Sequence, residues 1–186
     1  MDLVSVKTLN LLDSLPDHIR AKLLDIATEV RYETGQHFQS RGENKEGLAI
    51  VKSGHIKMGT YGLQGEFFPL VAMHAGQSFG EPTVFAGLPR LLDAIAGEPT
   101  IVYKVSRHSL DTLVAAEPIL LRVILRIALL RTHEMVEFVD DMRRLPLTVR
   151  VGKMLLAFSR ATPQAEQEGL AVNYTQAELA STLAVS

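Results

Sequence analysis

Between residues 31 and 105 the chain cannot run far without meeting a glycine. They stand at Gly35, Gly42, Gly47, Gly54, Gly59, Gly62, Gly65, Gly76, Gly80, Gly87 and Gly97. Long helices do not tolerate that punctuation, and the apolar runs between the glycines have the length of strands. The stretch GLAIVKSGHIKMG is the clearest case. Leu48 and Ile50 alternate before a turn at 52–54, and Ile56 and Met58 alternate after it, which is the pattern of a β-hairpin. EFFPLVAMHAG and AIAGEPTIVYKVS read as further strands, with Pro69 at an edge or a bulge. This middle region is therefore a set of short antiparallel strands.

Helical patterns flank it. SLPDHIRAKLLDIATEV reads as a helix with Pro16 in its first turn and an apolar stripe of Ile19, Leu23, Leu24, Ile26 and Ala27. SLDTLVAAE reads as a short helix after Ser106. Glu117-Pro118 then opens a helix through about Arg144, longer than the usual globular helix. Ile124, Ala128, Arg131, Met135, Phe138, Met142 and Leu145 recur along it at spacings of four and three, an apolar seam with one charged member. Leu121, Leu125 and Leu129 lie on another face, so the helix has two surfaces to bury. One can cover its own domain and the other a second copy of the same helix. The expected dimer interface is Ile124, Ala128, Arg131, Met135, Phe138 and Met142. Burial of the whole helix within one chain is the alternative.

Pro146 ends the long helix and starts LPLTVRVGKMLLAFSRA, with a stripe of Leu147, Val151, Met154, Leu155 and Phe158. TPQAEQEG is a loop by composition, and LAVNYT reads as a short strand. The last residues, TQAELASTLAVS, begin with a capping box. The Thr175 oxygen can accept from the main-chain N–H three residues on, and Glu178 can reach back. Leu179, Ala180 and Leu183 give that helix an apolar face, and Ala184-Val185-Ser186 is spaced like the turn of a helix-turn-helix. An ordinary terminal helix with a good cap has the same pattern.

Composition narrows the chemistry. Hydrophobic residues are 47% of the chain, enough for a substantial core. The net charge is −2, from 19 basic and 21 acidic residues, and exerts no global pull on nucleic acid or anionic lipid. With no cysteine there is no disulfide, thiolate metal site, cysteine-ligated iron–sulfur cluster or cysteine nucleophile. The N-terminus lacks the pattern of a signal peptide. The most apolar run, PILLRVILRIALLR, carries Arg122, Arg126 and Arg131, which argues against a membrane span. A cytoplasmic protein is expected. The six histidines, His18, His37, His55, His74, His108 and His133, are isolated from one another. There is no His-x-His for a cupin-like metalloenzyme, no nucleophile elbow and no phosphate-cradling loop, so neither a metal site nor an enzyme is expected.

The order of these zones, with particular residues, resembles the Crp–Fnr family of bacterial transcription regulators over essentially the whole chain. The residues are Tyr32-x-x-Gly35-Gln36 with Phe38 and Gly42-Glu43, Leu48-x-Ile50-Val51-x-x-Gly54-x-Ile56, and Gly76-x-x-Phe79-Gly80-Glu81. Glu117-Pro118, Val149-Arg150-Val151 and Tyr174-Thr175-Gln176-x-Glu178-Leu179-Ala180 complete the set. The resemblance implies an α+β chain. Residues 1–116 would form an effector-sensing β-roll of jelly-roll, cyclic-nucleotide-binding type with flanking helices. Residues 117–145 would form a dimerisation helix, and 146–186 the start of a winged helix-turn-helix domain without its recognition helix. The implied protein is a homodimeric, effector-controlled DNA-binding regulator. A sensor module that works through protein contacts, without DNA, is the alternative.

In family members that bind cAMP, a Gly-Glu pair and an Arg-Ser pair form a phosphate-binding cassette. Gly80, Glu81 and Arg90 match it, whereas Leu91 stands where a small hydroxyl residue belongs. Met135 and Val136 fall where the long helix would offer hydroxyls to the base. These six residues are the candidate effector site, and their chemistry suits an apolar effector, or none, better than cAMP. Haem, carried by a few relatives, has only isolated histidines to bind it. Thr175 and Gln176 are candidate phosphate contacts on DNA, but without a recognition helix the 186-residue chain should not select a base sequence. The operator, the target genes and the direction of regulation are open at this stage.

Overall fold

A computed structural model of the chain describes residues 10–44 and 47–161. The element order is α1 (Leu11–Ser14), α2 (Asp17–Asp25), β1 (Thr28–Tyr32), β2 (His37–Gln39), β3 (Leu48–Ser53), β4 (His55–Tyr61), β5 (Phe67–His74), β6 (Ser78–Phe79), α3 (Glu81–Ala86), β7 (Asp93–Ala96), β8 (Thr100–Val105), α4 (Arg107–Ala116), α5 (Pro118–Arg144) and α6 (Leu147–Ala161). The described chain falls into two compact units, one of residues 10–127 and one that begins at Ala128.

In the first unit the strands form two antiparallel sheets of four, ordered β1-β8-β3-β6 and β2-β7-β4-β5. Each sheet turns one face to a shared apolar layer. Tyr32, Ala49, Val51, Phe79 and Val102 come from one sheet, and Ile56, Met73, Ala94 and Ala96 from the other. The α+β class and the sandwich of short strands match the sequence reading.

The pairing of β3 and β4 does not. The sequence predicted a hairpin, but β3 pairs with β6 and β8, whereas β4 pairs with β5 and β7. At Gly54 the chain leaves one sheet and enters the other. Gly54 has φ +74, a conformation open to glycine at little cost, and a Cβ there would come within 2.5 Å of Thr100 Oγ1. The buried Thr100 hydroxyl accepts from the His55 amide at 3.2 Å. The reason for the crossover lies in burial. Leu48, Ala49, Ile50 and Val51 are all buried, so β3 must be covered on both faces. A two-stranded hairpin would leave one of them to water. The helices of this unit contribute Leu11, Ile19, Leu23, Leu110 and Leu120 to its buried residues.

The first predicted helix also ends sooner than its apolar stripe suggests. α2 stops at Asp25, and Thr28–Tyr32 is strand β1, paired along its length with β8. There Val30 and Tyr32 pack on the shared layer, a burial that outweighs the helical pattern. The later helices follow the sequence closely. Ser106 caps α4, its Oγ accepting from Ser109 N at 3.1 Å. Lys22 Nζ donates to Glu117 Oε1 at 2.6 Å, tying α2 to the start of α5 and holding that carboxyl below the usual carboxylate range. α5 is continuous for 27 residues, and α6 follows after Pro146. The strand and helix-turn-helix readings beyond residue 161 lie outside the described residues.

Ile56 is fully buried in the layer that both sheets share. Replacing it with alanine removes contacts that no neighbouring side chain can restore. Ile56→Ala is expected to lower the unfolding free energy by about 2–5 kcal/mol in urea titration.

Candidate effector site

The site is built where β6 runs into α3. Gly80 sits between them with φ +102, in the left-handed region. A Cβ on Gly80 would lie 2.2 Å from Arg90 Nη1, so the bare main chain makes room for the guanidinium. Glu81 opens α3, is 8% exposed, and accepts from Ser78 Oγ at 2.5 Å.

Arg90 reaches this corner from the loop between α3 and β7 and is also 8% exposed. Its Nη2 donates to Gly47 O at 2.8 Å. Its main chain is clamped on both sides: Arg90 N donates to Glu43 O at 2.8 Å, and Arg90 O accepts from Gly42 N at 2.8 Å. Two more contacts pin the same loop. Gln39 Nε2 donates to Leu92 O at 3.1 Å, and Arg41 N donates to Asp93 Oδ1 at 3.0 Å. Burial pulls the proton affinity of Arg90 down, while the negative charges of Glu81 and Glu43 oppose that shift. The result is a buried cation whose charge is favoured by two carboxylates.

Of the six predicted effector residues, the fold brings Gly80, Glu81 and Arg90 together. Leu91 follows in sequence but is 75% exposed, and the nearby Phe85 and Leu88 are exposed in lesser degree. Met135 and Val136 are exposed on α5 in the other compact unit. Sequence reasoning missed Ser78, Glu43 and Gly47 as members of this corner. Gly42-Glu43 did stand in the family pattern, and that was the available signal.

The predicted dimer residues divide. Ile124 is 2% exposed in the single chain and offers no surface to a partner. Ala128, Arg131, Phe138 and Met142 are half-buried, and Met135 is exposed. Met142 Sδ accepts from Arg150 Nη1 at 2.9 Å, and Asp141 pairs with Lys153, so the end of α5 is tied to α6. The outward apolar stripe is instead Leu121, Leu125, Leu129, Val136 and Val139. Thr175 and Gln176 lie outside the described residues. Among the described residues, no group of three histidine, aspartate or glutamate side chains is placed to hold a metal ion, and no helix is long and apolar enough to cross a membrane.

Residues 29–117 match the family model of the cyclic nucleotide-binding domain. Three solved structures extend the likeness. The c-di-GMP-responsive global regulator CLP of Xanthomonas campestris has a TM-score of 0.78 at 19% identity, over 92% of this chain and 86% of that one. A CRP/FNR-family transcriptional regulator from Thermus thermophilus has a TM-score of 0.68 at 20% identity, over 85% and 79%. The fold is that of the CRP/FNR regulators. The catabolite activator protein of the same organism is a further example, with a TM-score of 0.62 at 21% identity over 95% of this chain and 81% of that one. No curated protein sequence matches the chain. In this CRP/FNR fold the Gly80, Glu81 and Arg90 corner lies inside the matched domain.

Removing the cation strands both carboxylates. Arg90→Ala is expected to cost on the order of 3 kcal/mol near neutral pH, measured by urea denaturation. The deficit should shrink toward acid pH. There the stranded carboxylates bind protons in the folded variant, so its stability relative to the parent rises as the pH falls.

Proposed function

We propose that the chain is the sensing and dimerisation part of a CRP/FNR-type transcription regulator that binds DNA as a homodimer. The observation that carries this reading is the outward apolar stripe on α5. Leu121, Leu125, Leu129, Val136 and Val139 leave a large apolar surface in water along a helix of 27 residues, about 40 Å long. Spacings of three, four and seven are those of a helix that packs along another helix. A second copy supplies a matching stripe through a two-fold axis, so every exposed leucine finds an apolar neighbour. The extent of the likeness supports the same reading. The cyclic nucleotide-binding domain match ends at residue 117, whereas the likeness to CLP covers 92% of the chain.

In this reading the unit of residues 10–127 senses an effector and α5 carries the change toward the DNA-binding end. Thr175 and Gln176 would meet phosphate at the start of their helix. The protein would act in the cytoplasm, where its DNA is. cAMP is not the effector in this proposal, because Leu91 gives no hydroxyl beside Arg90.

Sedimentation equilibrium tests the dimer. The chain should sediment as two copies, and the double variant Leu125→Glu/Leu129→Glu should sediment as one, with its circular dichroism unchanged. Selection from a genomic library by the protein expressed from its complete gene should enrich a two-fold-symmetric site with half-sites about one duplex turn apart. A dimer that enriches no DNA would favour a sensor acting through protein contacts alone.

A further inference from the structure

Alternate residues of a strand share a face, so Thr100, Val102 and Lys104 of β8 point the same way. Val102 is buried in the layer between the sheets. Lys104, two residues on, is the charged member of that row and is exposed, so it stands at the rim where the layer meets water. Strand pairing fixes its neighbours. Lys104 lies opposite Ala49 of β3, and Ala49 lies opposite Phe79 of β6. Gly80 follows Phe79, and Gly47, whose carbonyl accepts from Arg90 Nη2, stands two residues before Ala49. The rim at Lys104 is therefore at the same end of the sandwich as the Arg90 corner.

Lys22, Lys52 and Lys153 each reach a carboxylate. Lys104 meets aromatic faces instead. Its Nζ lies 4.7 Å from the ring centroid of Phe38 and 5.3 Å from that of Tyr32, and among the described residues no carboxylate pairs with it. The rings form a connected row, with centroids 5.2 Å apart for Tyr32 and Phe38 and 5.1 Å apart for Phe38 and Phe79. Tyr32 and Phe79 are buried and Phe38 is half-buried, so Phe38 is the ring of the three that solvent reaches most. An ammonium held over an aromatic face is shielded from water on that side and keeps its N–H donors for an anion on the other.

We propose that Lys104 and Phe38 form an effector-binding position for a small aromatic carboxylate, which sets its carboxylate on Lys104 Nζ and its ring against Phe38. The charge contributes a charge-assisted hydrogen bond, and the ring contact adds apolar burial that a bare anion lacks. An exposed charge pair without that ring contact gains little in water, so the site discriminates against small inorganic anions. The proposal names the ligand class for the effector-sensing reading of residues 10–127 and rests on that reading. Its test involves neither DNA nor dimerisation, so it fails separately from the regulator proposal.

Isothermal titration of benzoate, phenylacetate and phenylpropionate into the chain provides that test, with acetate and the matching neutral amides as comparisons. At least one of the three aromatic acids should bind with a Kd below about 1 mM. Its amide and acetate should each bind at least about tenfold more weakly. Lys104→Met keeps the apolar stem and removes the charge, and should weaken the acid at least about tenfold, whereas Lys104→Arg should retain it. The proposal is overturned if none of the three acids binds saturably, if acid and amide bind equally, or if a folded Lys104→Met binds as the parent does. A measurement on the unaltered protein covers the case of a variant that does not fold. The Lys104 Hε resonances, shifted upfield by the rings, should move saturably with the acid and stay in place with the amide; resonances that ignore the acid would overturn the proposal.

Discussion

The unit of residues 10–127 depends on one apolar layer that two sheets must cover together. Ala49, Val51, Phe79 and Val102 face it from one side, and Ile56, Met73, Ala94 and Ala96 from the other. Neither sheet could stand alone, because each would leave these side chains in water. The connection between Val51 and Ile56 is therefore the critical stretch of chain. It must leave one sheet and enter the other within a few residues, and Gly54 with the buried Thr100 hydroxyl makes that crossing possible. The geometry of the candidate site follows from it. Once β3 is central in its sheet, its start near Gly47 and its partner β6 are fixed side by side, and Gly80 with Glu81 is held where Arg90 can reach.

Much of this was legible in the sequence. Glycine spacing marked a region of short strands, the pattern of SLDTLVAAE marked α4, and the uninterrupted pattern after Pro118 marked α5. Alternation, however, reports which side chains point inward and not which strand lies alongside. That is why Leu48, Ile50, Ile56 and Met58 read as a hairpin although their strands belong to different sheets. The helical periodicity of α5 had the same limit. It gave two apolar faces and could not say that Ile124 lies on the one the chain already covers. At the site, Gly80, Glu81 and Arg90 were readable through a family pattern. Glu43 stood in the same pattern, but its place beside Arg90 was not readable, because it comes from main-chain hydrogen bonds between segments remote in sequence.

The long helix begins inside the first unit and leaves it. Leu120, Ile124 and Ile127 are buried, so the start of α5 is anchored, and Lys22 holds Glu117, the residue just before it. The bonds from Arg150 to Met142 and from Lys153 to Asp141 tie α6 to the far end of α5.

Pro69 adds a consequence of another kind. β5 is the outermost strand of its sheet and carries the exposed Phe68 and Leu70. A long apolar border with unspent amide groups invites stray chains to add on, the first step toward fibrils. Pro69 has no amide hydrogen to offer, and the irregular step opposite it, between Met58 and Gly59, bends the ladder there. The rim of the sheet is thereby a poorer template for an added strand.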